Sequence, residues 1–264
     1  MRTSGPVVDA TVWRCGSGSW GESTVPARCS TWSRARRSAR ASSEDQPDGS
    51  TASRRVAGVK AAELFDANLD LARACRDHPF VRGIASGRLD RASFCFFVAQ
   101  DARFLDAFVR AYALGVAKAA DGEAMTAFKA LLDGGFGELE LHRSYAERWG
   151  VDLVPEPAPA TSAYTDFLLR VAALEPVGHL CAAMAPCMRL YAWLGRELEP
   201  VTAADSPYRE WVETYADPGF EQLATALEDL LDRLGGDPAV VAEHYRTAMR
   251  LELAFFAAAH EQGP

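Results

Sequence analysis

No stretch of this 264-residue chain approaches the ~18 consecutive apolar residues that a membrane-crossing helix needs, and no short apolar core near its start marks a secretory signal. Its six cysteines, Cys15, Cys29, Cys75, Cys95, Cys181 and Cys187, include no C-x-x-C pair and no zinc-finger spacing. Basic charge is in deficit, with 28 Lys+Arg against 36 Asp+Glu and a net charge of -8. That balance argues against a nucleic-acid-binding surface. No segment alternates like a half-buried strand, and no internal repeat is found. These absences predict an intracellular protein, cytoplasmic by default, with free thiols, no membrane partner and no nucleic-acid partner.

The charge that is present is unevenly placed. Residues 1–55 carry nine Arg, no Lys and five acids, about +4, while the remainder carries 19 basic and 31 acidic side chains, about -12. The first stretch also holds eleven Ser and the run Arg34, Arg36, Arg37, Arg40, without apolar periodicity. It reads as a disordered Arg/Ser-rich extension: a transit peptide, a tail, or a start codon set too far upstream. A transit peptide would send the protein to a plastid or mitochondrion, although Glu44, Asp45 and Asp48 weigh against one. Residues 56–264 are then a single folded domain.

In that domain apolar residues recur at three-and-four spacing, through Leu64, Phe65, Leu69 and Ala72 and then Phe94, Phe97, Val98, Phe104, Phe108 and Tyr112. Further helices are predicted over 122–149, 161–174, 177–198, 207–216, 218–234 and 238–260. Ser206-Pro207, Asp217-Pro218 and Asp237-Pro238 each set a capping side chain before a proline at the first helical position. Gly134-Gly135 is a possible break, at which the helix is expected to continue or to resume by Phe136, and residues 155–159 form a stiff connector. Pro79 disfavours helix at His78 and ends the first helix there. The acids at 221–233 read as a solvated face, and Trp149, Trp193 and Trp211 as packing and interface residues. The fold class is all-α.

Three positions stand out chemically. Cys187 directly follows Pro186, which interrupts an apolar helical run and predicts a kink near Ala182. Tyr191 lies one turn further on the same face. A buried Cys is also simply a small hydrophobe. Asp101 and Glu252 are carboxylates on strongly apolar helical faces, where an unpaired charge is expensive. Each either forms a structural ion pair, for Asp101 with Arg103 or Arg110, or faces a polar ligand.

Seven ordered motifs carry a resemblance: H-P-F-V-R-G-I-A-S-G-R-L at 78–89, F-x-x-x-Q-D ending at Asp101, E-L-E-L-H at 138–142, S-A-Y-T at 162–165, A-P-C-M-R-L-Y-A-W-L-G at 185–195, Y-R-E-W-V-E-T-Y-A at 208–216 and E-L-A-F-F at 252–256. From about Leu64 to Ala259 the chain resembles the TenA/thiaminase II family, the aminopyrimidine aminohydrolases. The resemblance implies a heme-oxygenase-like helical bundle, no metal or cofactor, and a homotetramer. It implies that Cys187 is the nucleophile, Glu252 the acid, and Asp101 the carboxylate that binds the aminopyrimidine. Tyr191, Tyr164 and Tyr215 would line the substrate pocket. Many relatives have Tyr three residues after the Asp; here Phe104 can stack on the ring but cannot donate a hydrogen bond.

As the family mechanism would have it, the Cys187 thiolate adds at pyrimidine C6 while Glu252 protonates a ring nitrogen. The adduct then expels the group on the C5 methylene, and water takes its place. The implied reaction converts 4-amino-5-aminomethyl-2-methylpyrimidine, and thiamine as a second substrate, to the 5-hydroxymethylpyrimidine in thiamine salvage. Two other readings compete. Glu138/His142 and Glu175/His179 have helical spacing for a di-iron oxidase, although each pair reads more simply as a surface or interhelical hydrogen bond and no E-x-x-H unit occurs. A non-catalytic pyrimidine-binding or regulatory protein is the other.

Overall fold

The structure, a computed structural model, describes residues 59–263; the extension expected at 1–55 lies outside them. The described residues form ten α-helices and no strand: α1 (Ala61–Asp66), α2 (Leu69–Asp77), α3 (Pro79–Ser86), α4 (Arg91–Lys118), α5 (Gly122–Trp149), α6 (Pro159–Leu174), α7 (Val177–Leu198), α8 (Arg209–Ala216), α9 (Pro218–Leu234) and α10 (Pro238–His260). None of them is long and apolar enough to cross a membrane. The all-α expectation is met, and four long helices match their predicted limits.

Local chemistry sets the helix ends. Asp90, Asp121, Asp217 and Asp237 each accept a first-turn amide at 2.6–2.9 Å, opening α4, α5, α9 and α10. His78, in extended backbone, both ends α2 and caps α3. Helix α8 begins two residues later than predicted. Ser206 does not cap a proline there, because its hydroxyl donates to the Ile84 carbonyl at 3.0 Å and accepts the Tyr208 amide. Helix α6 begins two residues earlier than predicted, at Pro159, where the missing amide hydrogen is harmless.

Helix α7 forms the centre of the bundle, packed against α8, α9 and α10, while α4 lies between α5 and α6. It runs unbroken through Pro186. Helix α5 also continues through Gly134-Gly135. A Cβ at Gly135 would come within 2.7 Å of Val109 Cγ1, so this glycine serves close packing on α4 rather than a break. The connector at 155–159 is tied to α4: Gln100 bonds the Glu156 carbonyl, the Ala158 amide and Thr161, and Arg103 bonds the Pro155 carbonyl. On α9 the predicted solvated face is partly engaged, since Glu221 and Glu228 hold the buried Arg189 of α7.

Glu175 closes α6 and ties three elements together. One carboxylate oxygen accepts from His179 at 3.0 Å and from His244 of α10 at 2.6 Å, and the other accepts from Arg170 at 2.6 Å. Partial burial opposes ionisation, but these donors outweigh it and hold the carboxyl down at about 2. A depressed folded-state value stabilises the fold above the unfolded carboxyl range and is lost as pH falls through the folded value. In urea titrations from pH 6 to pH 2, the stability gap between wild type and Glu175→Gln should therefore hold down to about pH 4.5, then narrow and close near pH 2. A gap independent of pH would rule out this ionic role.

Candidate active site

Five helices converge on a small cleft. Helix α4 supplies Asp101, Phe104, Leu105 and Phe108, α5 supplies Glu138, α7 supplies Cys187, Met188 and Tyr191, and α8 and α9 add Tyr215 and Phe220. Glu252 and Tyr164 are not on this wall. They join the sulfur by hydrogen bonds: Glu252 bonds Cys187 and accepts the Tyr164 hydroxyl at 2.8 Å. The other six positions singled out by the resemblance are thus gathered around the Cys187 thiol. Phe104 packs face-tilted on Tyr164, with ring centroids 4.7 Å apart, and Tyr191 meets Tyr215 edge-on at 4.8 Å.

The partner of Asp101 corrects the sequence expectation. Arg103 is held by the connector and Arg110 by Asp106 at 2.9 Å, so neither reaches it. Its partner is His142, whose Nε2 lies 2.7 Å from Asp101 Oδ2 with both side chains buried. The other ring nitrogen faces the Glu138 carbonyl at 3.1 Å. A carbonyl can only accept, so Nδ1 carries a hydrogen, and donation by Nε2 to the carboxylate makes the ring an imidazolium. Burial alone would lower the pKa of His142, but the hydrogen bond and charge of Asp101, with the charge of Glu138, raise it. The two Glu/His spacings therefore resolve differently. His142 forms a buried ion pair with Asp101, rather than a surface bond with Glu138, and Glu175 joins His179 to His244 away from the cleft.

Burial dominates the remaining electrostatics. It pushes Glu252 up to about 8, helped by the charge of Asp101 and opposed by its bonds from Tyr164 and Cys187. The Cys187 thiol is driven well above its ordinary range by burial and then by Glu252, Glu138 and Asp101. Arg189, the nearest cation along the chain, is committed to Glu221 and Glu228 and offers the sulfur no relief. Without substrate at neutral pH, both the thiol and the Glu252 carboxyl are therefore protonated.

Sequence reasoning missed Glu138 as part of this site. Its carboxyl accepts the Tyr215 hydroxyl at 2.8 Å and is raised to about 7, chiefly by burial and then by Asp101. A signal existed. Ala124, Phe128, Leu131, Gly135, Glu138, His142 and Tyr145 recur at alternating four and three along α5, which places both polar residues on its buried stripe.

Residues 67–261 match the TENA/THI-4/PQQC family. An aminopyrimidine aminohydrolase from Halalkalibacterium halodurans is 35% identical over 76% of this chain and 96% of its own length. The mitochondrial bifunctional TH2 protein of Arabidopsis thaliana is 33% identical over 67% of this chain, which spans only 33% of that longer protein. Among solved structures, a TenA homologue from P. horikoshii superposes with a TM-score of 0.71 at 27% identity, covering 76% of this chain and 98% of the other. A TenA family transcription regulator from Silicibacter sp. TM1040 gives 0.72 at 25%, covering 79% and 98%. In its sequence over nearly all the described helices, and in its fold, the chain belongs to the TENA/THI-4/PQQC family.

Proposed function

We propose that this protein is an aminopyrimidine aminohydrolase that hydrolyses 4-amino-5-aminomethyl-2-methylpyrimidine, and thiamine as a second substrate, by covalent catalysis at Cys187. The observation that carries this reading is the half-buried thiol hydrogen-bonded to a carboxyl pushed up to about 8, in a cleft walled by aromatic rings and a second carboxylate. The relative from H. halodurans is named for this activity. Asp101, oriented by His142, accepts hydrogen bonds from the 4-amino group, which fixes the ring between Phe104 and Tyr191 with C6 toward sulfur.

Proton accounting favours a concerted first step. Glu252 gives its proton to a ring nitrogen and takes the thiol proton as the S–C6 bond forms, so no free thiolate accumulates. The electron-rich ring then breaks the bond between the C5 methylene and its substituent, which leaves with the electron pair. Water adds to the exposed methylene, and reversal of the first step returns the thiol and releases the hydroxymethylpyrimidine. Phe104, where many relatives carry Tyr, contributes stacking alone. Assembly into a homotetramer in the cytoplasm, or in an organelle, belongs to the same reading.

The test is an assay of purified wild type for ammonia and hydroxymethylpyrimidine from the aminomethyl substrate, run beside thiamine. Equimolar products are expected, with kcat/KM falling above about pH 8 as Glu252 loses its proton. Absence of turnover with both substrates would exclude this function and leave a non-catalytic pyrimidine-binding role.

A further inference from the structure

The reaction needs a proton handler at the C5 substituent, and neither Glu252, which serves the sulfur and ring, nor Asp101, which is paired with His142, is free for it. Glu138 stands on the cleft wall on α5, with Cys187 contributed to the same cleft by α7 and Tyr215 by α8. Its carboxyl has one donor, Tyr215 at 2.8 Å. The other groups in electrostatic reach are Asp101 and Tyr112 on α4, His142 and Tyr145 on α5, and Cys187 on α7.

Resting on the function proposed above, we infer that Glu138 receives the exocyclic group of the substrate, holds an amine there as its ammonium, and then takes the proton of the water that replaces it. The balance closes without an outside reagent. The ammonium departs as NH3 with the C–N electron pair, water oxygen bonds the methylene carbon, its proton goes to Glu138, and Glu138 passes that proton to the departing NH3 as ammonium. Tyr215 is a positioning residue, and its hydrogen bond favours the ionised form of Glu138. An ammonium beside this carboxyl would favour the same form, so the empty cleft's tendency to keep Glu138 protonated is relieved by the ligand itself. Glu138 and Glu252 must then be in opposite states, which predicts a narrow pH optimum.

The decisive measurement separates binding from turnover. In a Cys187→Ser background, calorimetry compares 4-amino-5-aminomethyl-2-methylpyrimidine with its 5-methyl analogue, which lacks the amine. A preference for the amine of roughly tenfold or more is expected, falling to about twofold when Glu138→Gln is added. An unchanged preference would overturn the assignment. If the preference collapses as expected but wild type releases no ammonia, the hydrolase reading fails while the amine site stands. Tyr215→Phe provides a second reading that leaves Glu138 in place. It should move the acid limb of kcat/KM to higher pH, and should Glu138→Gln fail to fold, a limb that stays put would by itself overturn the proposal.

Discussion

Cys187→Ser should abolish ammonia release while leaving the fold intact, with kcat reduced on the order of 10^3-fold or more, the scale seen when an attacking group is removed from a coupled catalytic set. Serine fits, because oxygen is smaller than sulfur and the Glu252 hydrogen bond can be remade. The chemistry does not transfer. A hydroxyl in a site that already drives a thiol upward through burial and three carboxyls is far harder to deprotonate, and Glu252 cannot draw its proton at a useful rate. The loss should therefore fall on kcat and leave KM for the aminomethyl substrate within a few-fold. Equal rates for wild type and variant would remove Cys187 from the mechanism, whatever the product.

Gly195→Ala should be strongly destabilising despite its small size. Gly195 lies on α7 two turns beyond Cys187, and a Cβ there would stand 2.3 Å from the Tyr215 carbonyl carbon and 2.4 Å from the Ala216 nitrogen. Both are backbone atoms, so no side-chain rotation relieves the overlap. Overpacking costs ~1–3 kcal/mol even where side chains can yield, so a loss of about 3 kcal/mol or more is expected. At ~2–4 °C per kcal/mol for a domain of this size, Tm should fall by roughly 6–12 °C. Whatever folded protein remains should have α8 pushed off α7, displacing Tyr215 from Glu138. A variant with wild-type Tm and wild-type kcat/KM would mean that α7 and α8 do not approach this closely.

Most of the architecture was legible from periodicity and capping. The starts of α9 and α10 and the end of α9 follow from Asp caps, prolines at the first turn and the Gly235-Gly236 stop, all of which act within a few residues. The start of α8 was not legible, because the Ser206 hydroxyl answers to Ile84, more than a hundred residues away. Cys187, Asp101 and Glu252 were visible as reactive or charged groups on apolar faces. Their grouping was not, since spacing along one helix says nothing about which helices meet. Asp101 shows this most clearly: the nearby arginines were the natural partners by sequence, yet its side chain points inward to His142 of the next helix while theirs turn to the connector and to Asp106.

The uninterrupted course of α5 also sets what evolution can do to this protein. Each residue advances the helix by about 100°, so one inserted or deleted residue between Asp121 and Glu138 would rotate Glu138 and His142 together off the buried stripe. Asp101 would lose its counter-ion and Tyr215 its acceptor in a single event. Length changes should therefore be excluded from that part of the gene and collect in the short turn at 119–121, where α4 and α5 are joined outside the register of either.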